Sequence, residues 1–572
     1  MKPFNAILPA FERFRLSLAS SQAGIGLSLL GLLAGSLAGG LVVLFRLLIE
    51  FVQGLHIPYG DVENYEALPV LFRFALPIGG AVIIGLWFHS LHPAARRVGV
   101  IHVMERLQYH EGCLPLKNLA IQSLAGAIAL ICGHSVGRQA PSIHLGAASA
   151  SLFGQSFKLP NNSIRTLVAC GSAAAIAASF NTPLAGVIFA MEVVMMEYTI
   201  AGFTPVILAS VVATIISRAV FSAGSLFYVP QLTFGSTWDF FYILFMGICL
   251  GALSAFFVVA IRFFARNAAK VPVVVAIVGV MAIEIPAVMG MGYDTVNTAI
   301  LGDIAVSSLL LILVAKLIAS AACVAVGIPG GLIGPTIVMG AMVGGLFAVG
   351  SDHIPGLSSG QGLFVMLGMG GMMSAALQAP LAALLAILEL TANPHLILPA
   401  MLAVVSANIT AKEIFYQDSV FIMLMHDAGL DYRNDPIAQS LRRTGVASVM
   451  NRSFVESQPL IELEHARTLL SETPQWVIVR NDEDNRSLLP AADLARFLED
   501  HVVDRLDLMA IPARRREIVA CHMQVSLQEA RVALEDSGAE AIYVRRQIAP
   551  LTYRIFGVLL RQDVESSYAL RR

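Results

Sequence analysis

Along most of the chain, long apolar runs alternate with shorter pieces rich in glycine and alanine, and only the C-terminal part has the mixed polar pattern of a domain in water. Hydrophobic stretches near 23–52, 68–92, 204–222, 238–264, 272–290, 304–327 and 397–411 are long enough to cross a bilayer as helices, which takes about 20 residues each. Between them lie apolar pieces near 119–136, 141–157, 165–180, 183–198, 335–350, 362–377 and 380–391, most of them too short to cross upright. The pattern therefore predicts a polytopic all-α membrane body with tilted, broken or re-entrant helices. Lipid offers no partner to a free backbone N–H or C=O, so such breaks are tolerated only inside protein or along a watery cavity. That is the architecture of a transporter or channel.

After Asn434-Asp435-Pro436 the periodicity changes. Gly445 to Met450 precedes a helical pattern over Ile461–Glu472 and a strand over Trp476–Arg480; later a helix over Val525–Ser537 precedes a strand over Glu540–Val544. Each passage closes with an apolar strand and a short acidic helix, over Leu488–Glu499 and Ile555–Glu565. Alternating strands and helices of this kind imply a small α/β domain in two copies.

Composition supports the division. Of 572 residues only 13% are charged, against roughly 25% in soluble domains, and the mean hydropathy is +0.74. From Asp431 onward lie 40 of the 76 Lys, Arg, Asp and Glu residues. The layout is an N-terminal cytoplasmic segment at 1–22, a membrane body at 23–429 and a soluble tail at 430–572. Lys2, Arg13 and Arg15 put the N-terminus on the cytoplasmic side by the positive-inside tendency, and no cleavable leader is evident. A net charge of −2 argues against a nucleic-acid partner, which needs a basic face. Six cysteines without a C-x-x-C pair suggest neither a disulfide framework nor a zinc site.

The membrane body repeats itself. CGSAAAIAASFNTPLAGVIFAME, ending at Glu192, aligns with LGMGGMMSAALQAPLAALLAILE, ending at Glu389, so that Pro183 matches Pro380 and Glu192 matches Glu389 at an offset of 197 residues. GRQAP at Gly137–Pro141 likewise lies 194 residues before GLIGP at Gly331–Pro335. The two halves span about 68–222 and 272–425, and Gly/Pro-interrupted segments at matching places point to a binding site near the midplane. In each turn glycine lets backbone approach a ligand, proline starts a helix without losing a needed donor, and the open N–H groups of the helix start attract an anion. Two such ends would hold a dehydrated anion without a full positive charge, from which a halide could not easily leave.

GRQAP, the FNTPLAG of Phe180–Gly186 and GIPGGLIGP at Gly327–Pro335 resemble signature segments of the CLC family of chloride channels and proton-coupled chloride transporters. The resemblance covers roughly Gly24 to Gly429, and the tail, through Val446–Met450 and Gly557–Val564, is similar to the CBS pair that many such proteins carry. It implies an inverted relation between the halves, a homodimer with one pore per subunit, chloride or another small anion as the permeant species, and a multi-pass place in a cell inner (plasma) membrane with both termini cytoplasmic. Neither enzymatic activity nor a cofactor is implied.

Carried over residue by residue, the resemblance assigns anion contacts to Val98, Gly99, Val100 and Ile101, to Gly137, Arg138, Gln139 and Ala140, to Gly331, Leu332, Ile333 and Gly334, and to Phe421. It also marks departures. The family's usual GREGP glutamate, which blocks the anion path and takes the proton, is Gln139 here, and an amide cannot titrate. Gln139 is then either a permanent counterpart of a protonated, swung-out gate, which we favour, or a polar helix-start residue. The internal proton relay expects two glutamates after FNxPLAG; the chain has Glu192 and then Val193. The family's anion-binding serine falls on Val98, or on Val100 in a shifted register, its proline on Ile101, and its tyrosine on Phe421, with Tyr416 a weaker match. With both hydroxyls missing, the backbone amides of Leu332, Ile333, Gln139 and Ala140 are left to hold the ion, with weaker binding and altered selectivity.

Other candidates are less specific. Glu284, Glu389 and Lys316 lie in apolar surroundings as functional groups or structural partners, Arg165 opens a helix at an aqueous end, and His102, His134 and His144 lack ligand-like spacing for a metal. Ser135 sits in a G-x-S-x-G spacing without the α/β core of a hydrolase. An adenine nucleotide on the tail would use Asp563, yet Leu560 stands where a Thr or Ser is usual, and Pro490 stands likewise before Asp493; a structural dimer platform is favoured. The sequence thus predicts passive anion conduction, with an atypical proton-coupled antiporter or a non-conducting ligand-responsive sensor as alternatives.

Overall fold

The computed structural model describes residues 12–20, 24–57, 64–198, 200–221, 227, 236, 238–267, 271–355, 357, 360–430, 435–480, 486–501, 504–549 and 552–569. Lys2 and the rest of 1–11, together with Asp431 and Asn434 at the expected domain junction, lie outside the described residues. The chain forms two units. One comprises Ser28–Gln155 and Arg165–Tyr432; the other takes Arg433–Arg572 with Met1–Leu27 and Ser156–Ile164, a segment the sequence assigned to the membrane body.

The larger unit is helical. Its first half runs α1 (Gly24–Gly54), α2 (Val70–Ser90), α3 (Gly99–Tyr109), α4 (Leu116–Ile131), α5 (Gln139–Ser156), α6 (Asn161–Phe180), α7 (Pro183–Phe189) and α8 (Ile200–Phe221). Its second half runs α9 (Trp238–Arg266), α10 (Val271–Glu284), α11 (Tyr293–Leu301), α12 (Val306–Ala325), α13 (Ile333–Ser351), α14 (Gln361–Leu377), α15 (Pro380–Thr391), α16 (Ile397–Ile409) and α17 (Val420–Asp427). Among the described residues eight helices are long and apolar enough to cross a membrane. Two pieces read as short, Asn161–Phe180 and Ile333–Ser351, are among them. The stretch expected to span at 272–290 instead stops at Glu284, before a 3-10 turn that opens on Pro286, and Glu284 is exposed there. The helix α3, with Glu105 and Arg106 on it, has too mixed a pattern to stand out as an apolar run.

The repeat is physical. Gly146 of α5 faces Gly171 of α6 so closely that a Cβ on either would strike the other's carbonyl oxygen, and Gly340 of α13 faces Gly368 of α14 in the same way. Small residues let membrane helices approach at the backbone, and both crossings fall at matching positions of the two halves. Residues Gly362 to Leu377 of α14 are all buried, as expected of a helix that is apolar all round.

The matched glutamates close the arrangement reciprocally. The Glu389 carboxylate accepts from the backbone N–H groups of Leu184 and Ala185 at the start of α7 (2.9 Å each). Glu192 accepts from those of Leu381 and Ala382 at the start of α15 (3.2 and 2.8 Å). Each half therefore supplies an acidic cap to the positive end of the other half's helix. Such an exchange requires the paired helices to run in opposite directions, so the halves are inverted. Lys316, fully buried, donates to the carbonyls of Val288, Met289 and Gly290. Arg165 is also buried and pairs with Glu197 at 3.4 Å, which corrects its expected place at an aqueous end.

The tail follows the two-copy plan. Its strands are β1 (Phe454–Ser457), β2 (Leu460–Glu462), β3 (Trp476–Arg480), β4 (Arg486–Pro490), β5 (Arg505–Asp507), β6 (Arg516–His522), β7 (Ala541–Ala549) and β8 (Thr552–Leu560). One sheet has the order β1-β3-β4-β6-β7-β8. In each copy a parallel pair (β1 with β3, β6 with β7) is followed by an antiparallel strand. The helices Leu463–Ser471 and Leu527–Ser537 make the parallel crossovers. The second starts with a capping box, Ser526 and Glu529 each bonding the other's backbone N–H. Asp563 accepts from the Leu560 N–H at 2.9 Å at the start of the last helix, a capping role.

We expect Gly171→Val and Gly368→Val each to abolish the monodisperse gel-filtration peak of the detergent-solubilised protein. Gly40→Ala, where an added Cβ meets nothing within 4 Å, should leave that peak unchanged.

Candidate functional site

The two glycine-rich turns meet. Gly137 N–H donates to Gly331 C=O at 2.7 Å and Gly331 N–H returns a bond to Gly137 C=O at 2.6 Å, forming an antiparallel bridge between the halves. A Cβ on Gly137 would stand 3.0 Å from the Gly334 amide nitrogen, and one on Gly331 would stand 2.8 Å from that of Ala140. Each turn thus needs glycine so that the other's helix start can approach. From the joint, α5 and α13 lead away, their backbone ladders opening with Ser142 N–H to Arg138 C=O and Thr336 N–H to Leu332 C=O (3.0 Å each). The amides of Gln139, Ala140, Ile333 and Gly334 precede those bonds and donate to no other group among the described residues. Pro141 and Pro335 follow, where no N–H is needed.

A cavity of about 280 Å³ opens beside this joint. Val98, Gly99, Val100 and Ile101 line it from the start of α3, Ala140 from α5, Leu332 from the second turn and Phe421 from α17. Both registers considered for the missing serine therefore border the cavity, and of the two residues weighed for the tyrosine Phe421 lines it whereas Tyr416 is exposed and does not. Gly99 has φ +80, a left-handed conformation natural to glycine, and Val98 caps α3 without a side-chain bond. The N-terminal amides of α3 stay open, as do those of α13, whereas Ser419 bonds the Ile422 N–H at the start of α17. Arg96 and Arg97, both exposed, border the same cavity, and Arg97 is paired with Glu105.

The remaining predicted contacts lie elsewhere. Gly137, Gly331 and Gly334 build the joint. Ile333 borders a separate apolar void of about 30 Å³ with Phe180. The Arg138 side chain turns away, donating to Ser179 C=O at 3.1 Å and facing Glu50 at 3.9 Å. Gln139 is fully buried. Its Nε2 donates to the Tyr293 hydroxyl, and its Oε1 stands against Gly137 without a hydrogen-bond partner among the described residues. The side chain is folded into the joint, not swung out into water. Tyr293 packs edge-on to Phe227 (ring centroids 5.5 Å apart) and beside Phe180 (6.4 Å). Val193 is buried among apolar side chains, and Glu192, bound to two backbone amides, does not line the cavity.

Sequence reasoning missed two features. Tyr293 lies 154 residues from Gln139, and nothing in its surroundings marks it. His102 and His144 were set aside as metal ligands, yet they form a hydrogen-bonded pair at 2.9 Å; no cluster of three metal-ligating side chains exists among the described residues. Their only sequence signal is that each is a histidine in the first two turns of a helix whose start borders the site.

The fold and joint define a multi-pass membrane protein of inverted halves whose helix starts converge on a site suited to an anion. A family profile described as voltage gated chloride channel matches residues 80–412, and the chain belongs to this family, the CLC proteins, whose members are transporters and channels for chloride. A ClcB-like chloride channel protein of Ralstonia nicotianae is 31% identical over 62% of this chain and 85% of its own length. The H(+)/Cl(-) exchange transporter ClcA of Vibrio parahaemolyticus is 25% identical over 71% of this chain and 90% of its own. Among solved structures, a slow cyanobacterial Cl-/H+ antiporter superposes with a TM-score of 0.62 at 20% identity, covering 70% of this chain and 97% of that one. A eukaryotic CLC transporter gives 0.60 at 17% identity, covering 94% and 97%.

Tyr293→Phe should lower the unfolding free energy by about 1 kcal/mol, the worth of one buried hydrogen bond. It would be read as a lower Tm in detergent by intrinsic fluorescence.

Proposed function

We propose that this CLC protein conducts chloride passively, without stoichiometric proton exchange. The observation that carries the reading is Gln139: a non-titrating amide, fully buried at the joint of the two helix starts and bonded to Tyr293. A carboxylate there could carry a proton through its own protonation; an amide cannot. Val193 offers no second proton carrier, and Glu192 is engaged as a helix cap. The open amides at the starts of α3, α5 and α13 supply partial positive charge to an ion passing through the cavity.

The rest of the reading rests on family resemblance. The protein acts as a homodimer with one path per subunit, spans a bacterial inner membrane, and keeps both termini and a CBS-type tail in the cytoplasm. Asp563, bonded to the Leu560 N–H, serves the tail's structure, which favours a platform over an adenine-nucleotide sensor.

Reconstituted into liposomes with potassium and valinomycin to clamp the voltage, the protein should release chloride while external pH stays constant. Proton movement at a fixed ratio to chloride would overturn the reading in favour of a coupled antiporter. Absence of any anion flux would favour a sensor. Gln139→Glu should conduct more slowly at about pH 7, where a free carboxylate is ionised, and recover toward the wild-type rate at about pH 4, as protonation removes the repelling charge.

A further inference from the structure

His102 lies three residues beyond Gly99 in α3 and lines the cavity together with Val98, Ala140, Leu332 and Phe421. It is 4% exposed, and its Nδ1 lies 2.9 Å from Nε2 of His144, a wholly buried histidine of α5. The rings stack with centroids 5.2 Å apart and planes 23° apart. Two neutral imidazoles joined in this way share one proton between them, and the far side of the inner ring decides who gives it. His144 Nδ1 is buried with no partner among the described residues. Were His144 the acceptor, its own proton would sit on that nitrogen, an N–H sealed from water and from every acceptor, which is the rarer and costlier kind of orphan. With His144 as donor, only an unfilled lone pair is left there.

The assignment passes outward. His102 accepts at Nδ1 and carries its proton on Nε2, which bonds no group among the described residues and belongs to a ring bordering the cavity. The charged neighbours are accounted for: Arg97 pairs with Glu105, Arg106 donates to Cys113 C=O at 2.6 Å, and His110 stands just past the end of α3. We propose that His102 gives the permeating anion a neutral side-chain N–H in the cavity, where Val98 and Phe421 supply none, and that His144 is the positioning residue that fixes its tautomer. This rests on the anion-permeation reading. A neutral N–H suits the task, since it adds a directional bond to a dehydrated halide without the full charge that would trap it.

The test uses the full-length protein in detergent, with chloride binding measured by titration calorimetry and flux measured in liposomes. His102→Asn places its amide where Nδ1 and Cδ2 were, short of the place of Nε2 from which the proton is offered; His102→Phe keeps a ring without any donor. Each should raise the chloride Kd about tenfold. His102→Gln, whose amide reaches the place of Nε2, should stay within about threefold of wild type. Asn and Phe variants that bind chloride as wild type does, or a Gln variant as weak as they are, would overturn the proposal. Wild-type protein that carries chloride while the Asn variant binds unchanged defeats the histidine alone. Wild-type protein that neither binds nor carries chloride defeats the permeation reading, and this proposal with it.

Discussion

The double hydrogen bond between Gly137 and Gly331 is the constraint on which the rest depends. In lipid an unpaired backbone group costs several kcal/mol, so two helices can start at depth only if the chain leading into each is satisfied. Here each turn satisfies the other (2.7 and 2.6 Å). That solution needs two similar turns approaching from opposite directions, which inverted halves provide. It also needs glycine at both positions, because a Cβ on Gly331 would meet the Ala140 amide of the opposite half and one on Gly137 would meet Gln139 Oε1 and crowd the Gly334 amide. The open amides of Gln139, Ala140, Ile333 and Gly334 are then a consequence of the joint: once the turns are paired, the helix starts just beyond have no partners of their own.

The same inversion explains the matched glutamates. Glu192 and Glu389 lie near the ends of their segments and would be costly as isolated charges in lipid. Each is neutralised by the N-terminus of the helix that the other half contributes. The pair is a structural exchange between halves, and protonating Glu192 would weaken the cap of α15.

Much of this was legible in the sequence. Breaks at membrane depth leave a compositional mark, Gly and Pro in an apolar background, so both turns and the repeat could be read, as could the change of period in the tail. Burial of charge was less legible. Arg165 at a helix start looks aqueous until Glu197, 32 residues on, is seen to pair with it, and the capping bonds of Glu192 are not visible until the orientation of the second half is known. His102 and His144 stand on different helices 42 residues apart. No local rule of periodicity or spacing brings them together, because their contact is made by the same convergence of α3 and α5 that forms the site.

Substitution at the site has a consistent direction. Valine and phenylalanine stand where hydroxyls are usual, and an amide stands where a carboxylate is usual. The amide matters most. Gln139 Oε1 presents a partial negative charge to the joint and accepts no hydrogen bond from it, whereas a carboxylate at the same helix starts would be held by their dipoles at close to full ionic strength. Leaving that oxygen without a donor costs about 1–3 kcal/mol, and the open amides beside it are not engaged by it. A carboxylate gate must be neutralised by a proton before it yields, and that requirement couples proton to anion. On the passive reading proposed above, an amide at this place holds no titrating charge, so the anion would need no proton to pass it, and one exchange of an oxygen for a nitrogen would separate the two movements.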